Sequence, residues 1–372
     1  MKLTLLLDLD GTLLDSDMDK FISVYFHKLG NALGEYVAPK RMLKFLMQGT
    51  QAMIENDSPT VTLEEVFSRE FYPNLGVERE VLDSAIADFY ENIFPTLAPL
   101  TKACPEAVDF VEWAFAQGHT VVISTNPLFP KSAIYHRLRW AGLEPERYPF
   151  DIISSFETFH FSKPNPAYLA EVLSRIGWED NPILVVGDDP VRDLQGAQGL
   201  GLPAYWIADE GDVLPEGTNP PLGRGNVGAL RGWIEAHGAE AFTPDYQAKN
   251  AVVATLKAVP AALAVMLSNL PAETESSRPK AEALRSMLIS LGRIEREDNL
   301  PKIEGFLQEG FSLAEVVEGA DVFQAFISAR LLTLRALEKL SDAGWQRRGE
   351  ELALMAEQDR VYLRRIYKRL GG

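Results

Sequence analysis

The sequence predicts an α/β protein with a doubly wound parallel sheet, followed by an all-α region that reads as a four-helix bundle. Three observations carry this. Short apolar runs rich in β-branched residues end in polar loops, with helical patterns between them. From about Pro244 the strand signals stop and only long helical stretches remain. The chain, at 372 residues, is also longer than one ordinary core accommodates.

In chain order, Leu3–Leu7 is the first strand, followed by Thr120–Ser124 (TVVIS), Asp151–Ser154 (DIIS), Ile183–Val186 (ILVV) and Pro203–Ala208 (PAYWIA). The segments CPEAVDFVEWAFAQG and NPAYLAEVLSRIGW read as helices, each closing on a glycine that suits a helix C-terminus. Between the first two strands, FISVYFHKL, RMLKFLMQ, LEEVFSREF and VLDSAIADFYENIF repeat apolar residues at helical spacing. This insert far exceeds a simple crossover, so its surplus needs a purpose such as covering a site. After Ala208, DEGDVLPEGTNPPLGRGNVG reads as irregular, and Ala229–His237 as one short helix. Four bundle helices are expected near 246–270, 279–309, 322–342 and 348–370, broken at LPAETESSRP, GFSLAEVVEG and SDAG. The expected domains are a sheet core over 1–14 and 101–243, a helical insert over 15–100, and the bundle over 244–372.

Composition narrows the function. With 36 Lys and Arg against 53 Asp and Glu, the formal net charge is -17, which argues against nucleic acid or an anionic membrane as partner. A small anionic substrate remains compatible, because a divalent cation reverses the local field. The single cysteine, Cys104, rules out an internal disulfide and reads as a packed thiol, since no histidine stands near it in sequence. The N-terminal apolar run reaches acidic residues by Asp8, too soon for a signal peptide, and no run approaches about 18 uninterrupted apolar residues. The expected location is the cytoplasm.

The chemistry concentrates at strand ends. LLLDLDGTLLDSD, at the first strand, reads two ways: a strand running into an Asp-Gly turn, or a carboxylate pair, Asp8 and Asp10, held at a parallel strand's carboxyl end. The other strand tips decide between them. The second strand ends in Ser124-Thr125-Asn126-Pro127, FSKPNP supplies Lys163, and GDDPVRD supplies Asp188, Asp189 and Asp193. In such a set one carboxylate, Asp8, can attack a phosphoryl centre, and Asp10 can protonate the leaving oxygen and then activate water. The charge on the transferring group calls for Lys163, the Thr125 hydroxyl and backbone N–H groups of the Asp10-Gly11-Thr12 turn. Asp188 and Asp193 would collect Mg²⁺, a hard cation that prefers oxygen ligands. Without a cation, so many aspartates would repel each other and any phosphate.

DLDGT, then Thr-Asn at a strand end, then Lys-Pro, then GDxxxxD, in this order, resembles the haloacid dehalogenase-like (HAD) hydrolase superfamily over about residues 1–240. The resemblance implies a Mg²⁺-dependent phosphatase that acts on a small phosphorylated metabolite through an aspartyl-phosphate intermediate. It implies Asp8 as nucleophile, Asp10 as general acid and base, Thr125 as phosphate ligand and Lys163 as the cation stabilising the phosphorylated aspartate. Gly11, Thr12 and Asn126 complete the phosphate-binding set, although Asn126 also suits a loop-shaping role. The metal would be held by Asp8, the Asp10 carbonyl and Asp188, with Asp193 acting through water or a neighbour, and Asp189 as the alternative ligand. The insert resembles the cap of the subfamily whose cap precedes the Thr motif, with His27, Lys28, Arg41, Lys44 and Tyr90 as candidate contacts. A phosphomutase shares every motif. A non-catalytic binding protein is the reading from another class, and the complete motif set speaks against it.

FISARLLTLRALEKLSDAGWQRRG and ELALMAEQDRVYLRRI resemble the DinB-like four-helix bundles, which typically hold a metal on three histidines. The aligned positions here are Ser290, Gln358 and Tyr362, and no histidine follows His237. A three-imidazole site is therefore impossible in this bundle. It is expected to serve packing or homo-oligomerisation ahead of binding a partner. Arg364, Arg365, Lys368 and Arg369 suit the carboxyl end of a last helix.

Overall fold

The computed structural model describes residues 1–269, 278–306 and 322–370. They divide into two compact units, the first made of Met1–Tyr168, Asn181–Gln198 and Leu202–Pro244, the second of Leu169–Asp180, Gly199–Gly201 and Asp245–Gly372.

The described strands are β1 (Thr4–Leu7), β2 (Leu14–Ser16), β3 (Thr101–Ala103), β4 (Thr120–Ile123), β5 (Ile152–Ile153), β6 (Ile183–Gly187), β7 (Ala204–Ile207) and β8 (Gly223–Gly225). Six of them form one sheet in the order β5-β4-β1-β6-β7-β8, parallel throughout. Leu5, Leu6 and Leu7, which point alternately to opposite faces, are all fully buried, as are Val121, Val122 and Ile123. On one face Leu5, Leu7, Ile123 and Val186 share a cluster with Phe110, Ile134 and Leu230. These come from α5 (Pro105–Ala116), α6 (Lys131–Trp140) and α9 (Val227–Glu235).

Register sets the site. Leu7 of β1 lies opposite both Ile123 of β4 and Val186 of β6. The residues that follow, Asp8, Ser124-Thr125 and Gly187-Asp188, therefore leave three adjacent strands at one level. The chain continues from β1 toward β4 and from β6 toward β7, in opposite directions along the sheet, and a crevice opens between such strand ends.

Three strands were not anticipated. Gly223–Gly225, inside the run read as irregular, adds to the sheet edge as β8 against β7. A Gly-Arg-Gly strand has no apolar alternation to announce it. The helical insert stands on a two-stranded antiparallel ribbon in which Leu14, Asp15 and Ser16 pair with Ala103, Lys102 and Thr101. LDS and TKA are too short and polar for a strand signal.

Between β2 and β3 the insert holds α1 (Met18–Ala32), α2 (Pro39–Glu55), α3 (Leu63–Phe71) and α4 (Arg79–Asp88), then shorter helical turns to Leu100. Asp17 caps α1 by accepting from the Lys20 N–H. Thr62 and Glu65 form a capping box on α3, with reciprocal bonds of 3.2 and 2.9 Å. Phe21, Tyr25, Phe71, Phe89 and Phe94 centre the insert's apolar core, and Ala133 of α6 joins it.

Two more helices, α7 (Pro166–Arg175) and α8 (Gly196–Leu200), precede the bundle. The second unit carries α10 (Lys249–Ser268), α11 (Arg278–Ile294), α12 (Leu300–Phe306), α13 (Val322–Glu338) and α14 (Asp342–Leu370). Both α10 and α11 pack against α13 and α14. The helix expected over 279–309 is α11, a π turn at Glu295–Asn299, and α12, with 307–309 outside the described residues. GFSLAEVVEG lies outside them, as does LPAETESSRP apart from Arg278 and Pro279, which open α11. The last helix starts at Asp342, not near 348, because the Ser341 hydroxyl accepts from the Gly344 N–H and caps it.

By length and composition α10 could cross a membrane, with mean hydropathy 1.9, but 61% of that stretch is buried inside the protein, as in a core helix. At the three DinB-aligned positions, the Ser290 hydroxyl bonds back to the Ser286 carbonyl, and Gln358 is exposed while Tyr362 is half-buried. The buried polar centre of this unit is instead Arg330. It donates to Asp359 Oδ1 at 3.1 Å, to Asp359 Oδ2 at 2.5 Å, to Glu295 Oε2 at 2.8 Å and to the Leu256 carbonyl at 3.1 Å. Of the basic residues near the end, Arg364 pairs with Asp180 and Arg365 lies over the Tyr362 ring.

Candidate active site

Asp8 follows β1 directly, and its N–H continues the parallel ladder by donating to the Val186 carbonyl at 2.9 Å. Its carboxylate is therefore carried by backbone tied into the sheet's ladder. Lys163 lies between two carboxylates, with Nζ 2.6 Å from Asp8 Oδ1 and 2.5 Å from Asp193 Oδ1. The loop that brings Lys163 there is held by its N–H donating to Asn126 Oδ1 at 3.2 Å. Thr125 is fixed by Tyr168, whose hydroxyl, at the start of α7, donates to the Thr125 carbonyl at 2.7 Å.

Carboxylate oxygens of Asp8, Asp188 and Asp193 all lie within 4.8 Å of one another. Among the described residues this is the one cluster able to hold a metal ion. Two glycines make the packing achievable. Gly11 has φ +80°, and a Cβ there would fall 2.3 Å from Asp188 Oδ2; at Gly187 a Cβ would fall 2.2 Å from the Asp193 carboxyl. The Thr12 hydroxyl donates to Asp188 Oδ1 at 3.4 Å, and the Trp206 indole N–H donates to the Asp188 carbonyl at 2.8 Å.

Asp189 is used differently. Its Oδ1 accepts from the Val191 and Arg192 N–H groups at 2.8 and 2.9 Å, and its Oδ2 faces Arg192 at 3.3 Å. It caps its own turn, so Asp188 is the carboxylate left to face Asp8. Asp193 accepts the Asp189 N–H on Oδ2 at 3.0 Å while its Oδ1 holds Lys163.

The electrostatics describe a site short of positive charge. Burial pushes Asp188 up to about 8, with Asp8 and Asp193 adding to the effect. Burial raises Asp193 to about 6 against the pull of Lys163, and raises Asp8 against the same pull. Burial works against the charge on Lys163, yet Asp193 and Asp8 outweigh it and hold the amine above its ordinary value. One lysine beside two buried carboxylates and a half-buried third leaves net negative charge, and an all-oxygen donor set of this kind suits a hard divalent cation.

Asp8, Asp10, Thr125, Asn126, Lys163, Asp188, Asp189 and Asp193 all border one cavity of about 1240 Å³, roofed by the helical insert. Gly11 and Thr12 adjoin it through Asp188, and the Thr12 side chain is occupied there. Of the insert residues singled out in the sequence, Tyr90 borders the cavity, while the others are engaged elsewhere. His27 bonds Asn31, Lys28 bonds Thr96, Arg41 donates to the Asn74 carbonyl, and Lys44 lies over Phe45.

Arg137 was not singled out from the sequence. It is buried in α6, pairs through Nη1 with Asp10 Oδ2, and lies over the Phe129 ring at 4.6 Å. Burial raises the Asp10 pKa, and Arg137 opposes the rise. The available signal was its position: Ala133, Ile134, Arg137 and Leu138 share the buried face of α6, where an arginine needs a buried anion.

Residues 5–207 match the family described as haloacid dehalogenase-like hydrolase. The chain is 27% identical over 199 residues to a phosphoglycolate phosphatase of Aquifex aeolicus (strain VF5), covering 53% of this chain and 80% of that protein. A phosphoglycolate phosphatase of Xylella fastidiosa (strain Temecula1) is 28% identical over 213 residues, covering 55% of this chain and 80% of that protein. Among solved structures, a 2-haloacid dehalogenase from Pseudomonas syringae pv. Tomato DC3000 covers 63% of this chain and 99% of its own, at 20% identity and a TM-score of 0.46.

Proposed function

Since this chain belongs to the haloacid dehalogenase-like hydrolases and is a phosphatase among them, we propose that it hydrolyses a small phosphate monoester through an aspartyl-phosphate on Asp8, with Mg²⁺ as cofactor. The observation that carries this reading is the Asp8–Lys163–Asp193 contact with Asp188 alongside, beside adjacent strand tips at the floor of a cavity bordered by the helical insert.

Asp8 Oδ attacks phosphorus, the P–O bond to the alcohol breaks, and the carboxyl of Asp10 gives its proton to the departing oxygen. Asp10, now ionised, takes a proton from water as that water attacks the phosphorus, and the acyl phosphate breaks to free Asp8 and inorganic phosphate. Arg137 supports this by holding Asp10 Oδ2, which leaves Oδ1, buried and without a protein partner, to handle the proton. Burial favours the protonated form of Asp10 that the first step needs. Lys163 balances charge on Asp8, and Thr125 and the turn N–H groups after Asp10 serve the phosphoryl oxygens. Asp8, Asp188 and the Asp10 carbonyl would hold Mg²⁺, with Asp193 supporting through Lys163, and the ion would supply positive charge to the phosphoryl group.

The test is phosphate release from a panel of phosphorylated metabolites, phosphoglycolate included, with Mg²⁺ and with chelator. Release that needs Mg²⁺ and Asp8 supports the proposal. Isomerised ester in place of free phosphate moves the reading to a phosphomutase, and release by Asp8→Asn at the wild-type rate ends the assignment of Asp8.

A further inference from the structure

The cavity over Asp8 holds more information than phosphate chemistry needs. At about 1240 Å³ it exceeds the roughly 300–1,000 Å³ usual for small-molecule clefts. Phosphate and the catalytic groups occupy only its floor. The remainder is bounded by the helical insert, so the insert's side chains are what the esterified alcohol would meet.

Those side chains fall into two classes. The first is apolar and largely aromatic: Phe26 and Tyr25 of α1, Met53 of α2, Phe67 and Phe71 of α3, and Ile86 of α4. The second is acidic: Asp17, Asp19, Glu64, Asp83 and Glu91, of which Asp83 pairs with Arg79 and Asp17 caps α1. The insert, all of which is described, puts no lysine, arginine or histidine on the cavity wall.

Basic groups on the opposite wall are already engaged. Lys163 lies between Asp8 and Asp193, Arg192 faces Asp189, and Arg137 is paired with Asp10. His136 is half-buried, and burial lowers its pKa, favouring the neutral ring. Glu157, on that wall near Glu64, keeps Oε2 buried without a partner and raises the pKa of Glu64 after burial itself. A second anion on the substrate would enter a space already rich in negative charge, away from free cations.

Resting on the phosphatase reading above, we infer that the alcohol carried by the phosphate is bulky, largely apolar or aromatic, and without a second negative charge. Apolar burial in the upper cavity then supplies binding, and the acidic rim rejects carboxylate-bearing esters. This separates the chain's substrate class from the compound in its relatives' names, which is a two-carbon acid.

Three alkyl esters test it, chosen so that leaving-group chemistry is similar: phenethyl phosphate, the same ester with a carboxylate on the ring, and phosphoglycolate. With Mg²⁺, kcat/KM for phenethyl phosphate should exceed that for each carboxylate ester by about tenfold or more, the equivalent of roughly 1.4 kcal/mol. Equal or reversed kcat/KM, with phosphate still released, overturns this inference and leaves the phosphatase reading standing. No release from any of the three, nor from the metabolite panel, defeats the phosphatase reading and this inference with it. Phe67→Ala provides an independent check. It should lower kcat/KM for phenethyl phosphate by about fivefold or more while changing phosphoglycolate less. A uniform fall for all three esters overturns the assignment of the upper cavity to the alcohol.

Discussion

Lys163 in the first unit and Arg330 in the second share a local arrangement, a buried cation between two buried carboxylates. Their surroundings differ in two ways. Arg330 uses both terminal nitrogens on Asp359 and Glu295 and reaches the Leu256 carbonyl as well, a forked match of planar groups. Lys163 offers a point charge on a flexible stem, and a third carboxylate, Asp188, stands beside its two partners with no cation of its own among the described residues. The Lys163 cluster also borders a cavity of about 1240 Å³. A buried ion triad is therefore no signature of chemistry by itself. Excess carboxylate facing a cavity is what sets the Lys163 cluster apart from the Arg330 one.

The sharpest break between the two is substitution of a carboxylate. Asp8→Asn should cut phosphate release by roughly three orders of magnitude or more, since the proposed nucleophile itself is lost. Asp359→Asn should leave kcat of the folded protein within about twofold while lowering stability. Steady-state kinetics beside denaturant unfolding measures both, and comparable losses of kcat from the two variants would erase the distinction.

Removing the cations comes next. Arg330→Met strands two buried carboxylates and should cost about 3–5 kcal/mol in the unfolding of the second unit. Lys163→Met should be felt in turnover, by about a hundredfold or more. A Lys163→Met enzyme that turns over normally removes the lysine from the reaction.

A smaller effect concerns metal and pH. Asp188 and Asp193 are held above the ordinary carboxylate value, at about 8 and about 6. Without metal their contribution to stability is complete below roughly pH 4, the unfolded value, and is lost as pH rises through those two values. On the proposed reading, Mg²⁺ would bind the ionised forms and offset the loss. Its effect on Tm should therefore be about 3–6 °C near pH 8.5 and clearly smaller near pH 5.5. Asp188→Asn should remove most of it, and an equal Mg²⁺ effect at both pH values would count against Asp188 as ligand.

The smallest change is Trp206→Phe, which removes the donor to the Asp188 carbonyl. It should cost about 1 kcal/mol and raise the Mg²⁺ concentration at half-maximal rate by a few-fold. Unchanged metal dependence would mean that this bond does nothing for the carboxylate's aim.

Much of the sheet and its tips was legible because parallel strands buried on both faces are spelled by continuous apolar runs, and polar groups that end such runs stand out. Asp8, Thr125 and Asp188 were found that way, and register explains why they meet. Ordering Asp188 over Asp189 needed coordinates, since two adjacent aspartates give no clue to which one caps its own turn. Arg137 and Arg330 were missed for one reason. Each sits on the buried face of a helix, and its acidic partner lies 127 or 29 residues away in sequence. The strands β2, β3 and β8 were missed because three-residue segments of polar residues or glycine carry no period.

The ribbon of Leu14–Ser16 against Thr101–Ala103 has a consequence for descent. It clasps the two ends of the helical insert side by side, so whatever hangs from it starts and finishes at one point and leaves the sheet's own course undisturbed. Lengthening, shortening or replacing that segment changes loop closure only slowly with length. The floor can thus keep one reaction across lineages while the roof is exchanged as a cassette. Grafting a foreign roof between Ser16 and Thr101 is the natural route to a new substrate on the same sheet.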